Sequence, residues 1–171
     1  MLWFQEEGVA EEFLRGRERL VVDKLFRGGV DVGTMFDRSS AAEPRTLAAN
    51  PFLGIDDLDP GGELLGTEAE RRHYADTFAR TGYRGGINWY RNIDANAARH
   101  PEIGTARIDV PTLMLCAELD PALPPSLAAG MGELCGDLET HVIEGAGHWV
   151  QQERPDEVNR LLVDWLVRRF A

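Results

Sequence analysis

The stretch Val110-Pro111-Thr112-Leu113-Met114-Leu115-Cys116, followed by Ala117-Glu118-Leu119-Asp120-Pro121, decides the fold. A short continuous apolar run that stops at a polar loop is the pattern of a buried parallel strand. Working outward, Pro125 to Leu134 can form a helix, and Thr140-His141-Val142-Ile143 reads as a second short strand. Gly145-Ala146-Gly147-His148-Trp149 is a glycine-rich turn. The last helix is predicted from about Pro155 to Phe170. Pro155 suits its first position, Asp156 and Glu157 its positive end, and Arg168 and Arg169 its negative end. Val158, Leu161, Leu162, Trp165 and Leu166 form one apolar stripe. Residues 108–171 therefore read as strand, helix, strand, helix, a right-handed crossover unit of the α/β class.

The texture upstream is different. Residues 3–27 read as helical, with glutamates early, arginines late and Gly16 as a candidate break. From Gly28 to Gly66 the pattern is turn-rich and not periodic. A helix resumes near Thr67, with Thr67 as N-cap and Tyr74 and Phe78 one turn apart, and stops at Thr81-Gly82. Residues 85–98 look like a turn entering another helix. The chain thus divides into a helix-and-loop part, 1–100, and an α/β part, 101–171.

Composition excludes several classes. The 171 residues carry 29 acidic against 18 basic side chains, for a net charge of -11. Nucleic-acid backbones need clustered Lys and Arg, so nucleic acid is excluded as a partner, and an anionic membrane surface with it. All basic residues but Lys24 are Arg, a bias spread over the whole chain and tied to no site. No apolar run approaches the ~18 residues of a membrane span, and the N-terminus lacks the pattern of a secretory signal. Cys116 and Cys135 sit in apolar stretches and read as reduced, buried thiols, which suits a cytoplasmic protein. His and Cys show no metal-ligand spacing, so no metal and no cofactor are expected.

The chemistry gathers at two loops. In parallel α/β sheets, functional groups sit beyond the carboxyl ends of strands. One such loop carries Asp120, the other His148. A carboxylate on one imidazole nitrogen fixes the tautomer and leaves the other nitrogen as a general base. The ordinary readings are a turn-forming Asp-Pro for Asp120 and an exposed loop histidine for His148. Spacing alone leaves both open.

A resemblance weighs between them. Leu119-Asp120-Pro121-Ala122-Leu123-Pro124, then Gly145-Ala146-Gly147-His148-Trp149-Val150-Gln151-Gln152-Glu153-Arg154-Pro155, resembles the acid and histidine loops that close an α/β-hydrolase. Thr81-Gly82-Tyr83-Arg84-Gly85-Gly86-Ile87-Asn88-Trp89-Tyr90-Arg91-Asn92 resembles the cap motif of soluble epoxide hydrolases, and Leu2-Trp3-Phe4-Gln5-Glu6-Glu7-Gly8-Val9-Ala10-Glu11 is similar to another cap segment of that family. The likeness covers nearly the whole chain in the family's order, and its NWYRN motif is the specific part. It implies a partial α/β-hydrolase fold: a helical cap followed by the last two parallel strands and their helices.

The resemblance also implies a reaction. A carboxylate attacks an epoxide carbon to give an alkyl-enzyme ester, cap tyrosines stabilise the developing alkoxide, and a His-Asp pair activates the water that releases a diol. By motif match Tyr90 is the cap tyrosine, His148 the base and Asp120 its orienting acid, with Leu123 and Trp149 on the wall of the substrate pocket. The implied partners are a small apolar epoxide and water. Tyr90 also has an ordinary reading as a half-buried cap aromatic, and Trp149 as packing for the histidine loop. Tyr74 and Tyr83 read as packing residues, and Asp56, Asp57 and Asp59 as a solvated loop.

The departures from the family pattern are informative. The nucleophile elbow, the His-Gly oxyanion segment and the first cap tyrosine have no counterpart in these residues. Glu7 and Gly86 stand where the family commonly has Pro. The chain is expected to lack turnover by itself, and an in-frame Tyr and G-x-D-x-G elbow upstream of Met1 would account for the gap. Two strands alone leave sheet edges bare, so a second chain or a homodimer is expected to cover them. Two alternatives stand beside this reading. One is a haloalkane or haloacid dehalogenase of the same superfamily. The other is a degenerate, non-catalytic binding domain.

Overall fold

The computed structural model describes residues 2–29, 52–120 and 122–171. The sequence readings for residues 30–51 and for Pro121 lie outside the described residues. The chain divides into two compact units, Met1–Arg27 with Gly33–Pro101, and Gly28–Val32 with Glu102–Ala171.

Among the described residues, the regular elements from Leu2 to Arg99 are helices apart from two-residue strand segments at Arg27–Gly28 and Glu63–Leu64. The single helix read over residues 3–27 is in fact three pieces: a 3-10 turn at Leu2–Gln5, α1 at Val9–Leu14 and α2 at Glu18–Leu25. Gly8 (φ 87) and Gly16 (φ 78) make the breaks, because neither conformation belongs to a right-handed helix. A Cβ at either position would meet no atom within 4 Å, so the requirement is one of backbone and not of space. Gly16→Ala is therefore expected to cost about 1–2 kcal/mol, read by chemical denaturation of this unit. No change in stability would mean that the break tolerates a Cβ.

Helix α3, Glu68–Thr81, starts where the sequence places it. Thr67 Oγ1 accepts from Glu70 N–H at 3.2 Å, while the Glu70 carboxylate accepts from Thr67 N–H at 2.6 Å. The Thr67 N–H and the Thr67 hydroxyl, which also donates to Glu70 Oε2 at 2.8 Å, hold the Glu70 carboxyl below its usual range. Beyond Gly82 come α4, Arg84–Arg91, and α5, Ile93–Arg99, two short helices where the sequence suggests one. Trp3, Phe4, Ala10, Leu14, Val21, Ile55 and Ile87 form the buried core of this unit. Asp56, Asp57 and Asp59 are solvent-exposed, as their loop reading requires. Tyr83 stacks on Phe78, with ring centroids 4.8 Å apart. Tyr74 packs against Phe26 at 5.4 Å.

The second unit carries a parallel pair, β1 (Thr112–Ala117) and β2 (Leu138–Ile143), in the register Leu115↔His141 and Ala117↔Ile143. Both strands start two residues from the expected positions. β1 begins after Pro111, which has no N–H to give to a ladder, and β2 extends back to Leu138. The helix read from Pro125 to Leu134 is split into a 3-10 turn, Pro125–Ala128, and α6, Met131–Leu134, by Gly130 at φ 88. α7 is Val150–Glu153, and α8 runs Pro155–Phe170, as its caps predict.

Side chains alternate across a strand. Leu115, Ala117 and Ile143 point to the face that packs against Val158 and Leu161 of α8. Arg168 and Arg169 at the end of α8 reach Glu139 (2.6 Å) and Asp137 (2.7 Å). On the opposite face Thr140 and Val142 are exposed. Cys116 and Cys135 are buried free thiols. Of the apolar stripe on α8, Val158 and Trp165 are buried, whereas Leu162 and Leu166 are exposed. No described helix is long and apolar enough to cross a membrane.

Candidate active site

β1 ends at Ala117 and β2 at Ile143, side by side in the register, so the loops that follow leave the sheet at the same edge. Backbone bonds then lace the two loops together. Glu118 N–H donates to Ile143 O at 3.1 Å, and Leu119 N–H donates to Ala146 O at 2.8 Å. The Glu118 carboxylate accepts Gly145 N–H at 2.8 Å. The result brings Asp120 and His148 into contact. Nδ1 of His148 lies 3.0 Å from Oδ2 and 3.1 Å from Oδ1 of Asp120.

Asp120 is buried, with 7% of its surface exposed, and its local bonds explain how a carboxylate sits there. Oδ1 also accepts the N–H groups of Ala122 (2.9 Å) and Leu123 (3.0 Å). Burial pushes this carboxyl up, but the Leu123 N–H, the His148 ring and the Ala122 N–H together outweigh it and hold the group below its usual range. Asp120 is therefore ionised and accepts only. It follows that the His148 proton facing it is on Nδ1. Nε2, the opposite nitrogen, makes no hydrogen bond to any described residue, and the side chain is 40% exposed. A fixed tautomer with an open Nε2 can take a proton from water or from a hydroxyl. The turn-former reading of Asp120 and its pairing role hold together, since the same oxygen serves both.

The neighbours are placed as follows. The Trp149 ring meets His148 edge to face at 5.5 Å. Leu123 is exposed, and its N–H is one of the groups that hold Asp120. Tyr90 lies in the other unit, on α4, in ring contact with Phe4 at 5.1 Å, and it is 36% exposed. Its carbonyl accepts from the Gln5 side chain at 3.0 Å.

Two supporting side chains fall inside the quoted motifs, but the sequence assigns them no role. Arg91, next to Tyr90, donates to Phe4 O (2.7 Å), Glu6 O (3.0 Å) and both oxygens of the Glu11 carboxylate. It thereby ties α4 to the N-terminal turn and to α1. Glu7, at a position where Pro would be ordinary for the resembled motif, pairs with Arg84. The second support is Glu153, taken up below. Among the described residues no group of three His, Cys, Asp or Glu is gathered as a metal site.

The sequence profile of a family described as "Alpha/beta hydrolase family" matches residues 8–161. The chain belongs to the alpha/beta hydrolase family. Within it, the similar proteins are epoxide hydrolases. Epoxide hydrolase A of Mycobacterium tuberculosis is 37% identical over 169 residues, covering 97% of this chain and 51% of its own. Bifunctional epoxide hydrolase 2 of Rattus norvegicus is 34% identical over 165 residues, covering 96% of this chain and 29% of its own. The crystal structure of epoxide hydrolase A from Mycobacterium thermoresistibile superimposes with a TM-score of 0.76 at 35% identity, over 96% of this chain and 50% of that one. This alpha/beta hydrolase chain thus spans about half the length of the M. tuberculosis relative and of that solved structure. Its two strands and flanking helices are a partial α/β-hydrolase fold.

Proposed function

We propose that this chain is the cap and the closing core segment of an epoxide hydrolase, with the nucleophile contributed from outside these residues. The observation that carries the proposal is the Asp120 carboxyl group on Nδ1 of His148, with Nε2 bonded to no described residue. A carboxylate supplied by the other half attacks an epoxide carbon. The C–O bond breaks, and the departing oxygen takes a proton from the Tyr90 hydroxyl. His148 Nε2 then removes a proton from water and the hydroxide adds to the ester carbonyl. The adduct collapses, its departing alkoxide takes the imidazolium proton to complete the diol, and the carboxylic acid so formed returns its proton to the Tyr90 phenolate. Asp120 holds the ring and stabilises the imidazolium. Leu123 and Trp149, exposed or half-buried beside the pair, form part of the wall against an apolar substrate. The reaction calls for no metal and no cofactor, and the free buried thiols suit a cytoplasmic setting.

The bare sheet face fits the same reading. Parallel strands are covered on both faces, yet Val142 is 49% exposed. Helices contributed by the other half, or a second copy of this chain, would cover it.

The experiment joins this chain to the half of M. tuberculosis epoxide hydrolase A that it does not match. Diol formation from styrene oxide is expected for the joined protein and none for residues 1–171 alone. Tyr90→Phe in the joined protein is expected to lower kcat by roughly ten- to a hundred-fold through loss of the proton donor. Robust diol formation by the isolated chain, lost on His148→Ala, would sink the proposal, as would halide release without epoxide opening.

A further inference from the structure

The histidine loop is held by a carboxylate that touches neither Asp120 nor the imidazole. Glu153 ends α7, and its side chain folds back along the loop that precedes that helix. Oε2 accepts Gly147 N–H at 2.9 Å, and Oε1 accepts Trp149 N–H at 3.1 Å. These are the residues immediately before and after His148. Oε2 also lies 3.4 Å from Gly29 N. Each oxygen thus fixes one backbone N–H on either side of the base. Among the described residues the loop has no strand partner to do this, and its neighbouring N–H, that of Gly145, goes to Glu118 (2.8 Å).

The geometry of Gly147 agrees. A Cβ there would meet Oε1 of Glu153 at 3.1 Å and Oε2 at 3.3 Å, so the carboxylate occupies the space that a side chain would take. α7 reinforces the arrangement from its backbone. Gln152 N–H and Glu153 N–H both donate to Trp149 O, at 2.8 and 2.9 Å, which curls the helix over the loop. Arg154 adds a bond from Nη2 to Gly145 O at 2.9 Å.

We infer that Glu153 is a positioning residue, whose carboxylate fixes the backbone on both sides of His148 and so sets the ring against Asp120. The inference rests on the reading of His148 as the base, but it concerns the orientation of the ring. It therefore has its own measurement, independent of turnover. Hydrogen bonds from backbone amides to a carboxylate are shorter and stronger than those to a neutral acceptor. Glu153→Gln keeps the size and one acceptor oxygen but places an NH2 against the second N–H. Glu153→Ala removes both acceptors.

The test is NMR on the intact 171-residue chain, uniformly labelled with 15N. In the native chain, neutral His148 is expected as a single Nδ1–H tautomer, with a downfield Nδ1 proton in contact with Asp120. In Glu153→Ala that resonance is expected to vanish into a tautomer mixture, and exchange of the Gly147 and Trp149 amides to speed up at least tenfold. Glu153→Gln is expected to lie between, with one of the two amides still protected, and it carries the test if the alanine variant does not fold. Arg169→Ala breaks the surface pair with Asp137 in the same unit and serves as the stability control. It should leave the ring signature in place. A native tautomer in both Glu153 variants, or an equal loss in Arg169→Ala, would overturn the inference. Loss of diol formation with the tautomer intact would instead count against the proposed reaction.

Discussion

His148→Ala in the joined enzyme is expected to stop the cycle after its first half. The nucleophile still opens the epoxide, because Tyr90 and the attacking carboxylate are untouched. Without Nε2, no group takes the proton from the hydrolytic water, and the ester accumulates. A general base of this kind contributes on the order of 10²–10⁴ in rate, so steady-state turnover should fall by roughly a thousand-fold. Rapid quench and intact-mass measurement should find close to one equivalent of alkyl ester per protein after the first turnover. Asp120→Asn should produce a similar loss by a different route. The amide can present NH2 to Nδ1 and turn the tautomer over, so that Nε2 carries the proton and no longer accepts one. An His148→Ala variant that neither slows nor accumulates ester would show that some other group activates the water.

The tests differ in how much of their basis was legible before any coordinates. Asp120 and His148 could be paired from the sequence because each follows a strand by a few residues, and parallel register does the rest. Helix α8 was legible to the residue, since Pro155, the two acids after it and the two arginines at its end mark both termini. The Thr67 cap was legible for the same reason: its partner Glu70 is three residues away. What escaped has a common physical cause. Gly16 could be marked as a candidate break, but nothing in the residue type separates Gly8 and Gly130, which take positive φ, from Gly85, Gly86 and Gly132, which lie inside helices without it. Only the surrounding packing decides. Glu153 stands in the quoted histidine motif, yet its backward fold onto Gly147 depends on the loop's shape, which the residue type does not encode. Arg91 and Glu11 are 80 residues apart, and no local pattern links them.

That last pair supports the largest expected change in stability. Arg91 forks onto the Glu11 carboxylate while its other N–H groups serve Phe4 O and Glu6 O, and the two side chains are only 13% and 15% exposed. Glu11 in turn accepts Gly8 N–H at 3.1 Å, so one carboxylate closes the start of α1 and anchors α4. Removing the guanidinium leaves a mostly buried acid and two carbonyls without their donor. Arg91→Ala is expected to cost about 2–4 kcal/mol, read as faster hydrogen exchange at the core amides of Ala10 and Ile87. Arg91→Lys should recover only part of this, because one ammonium cannot serve the carboxylate and two carbonyls at once. The pH dependence separates this effect from simple loss of packing. Bonding to Arg91 lowers the Glu11 carboxyl from 4.5 to about 2. A carboxyl lowered in the folded state contributes stability that is fully present above pH 4.5 and is lost as pH falls through about 2. Other lowered carboxyls, such as Glu70 and Asp120, also lose stability as pH falls, so the informative quantity is the difference between native and variant chains. That difference should be full near neutrality and shrink as pH drops from 4.5 toward 2. A difference that stays constant across this range would assign the loss to the Arg91 side chain's packing and not to its charge on Glu11.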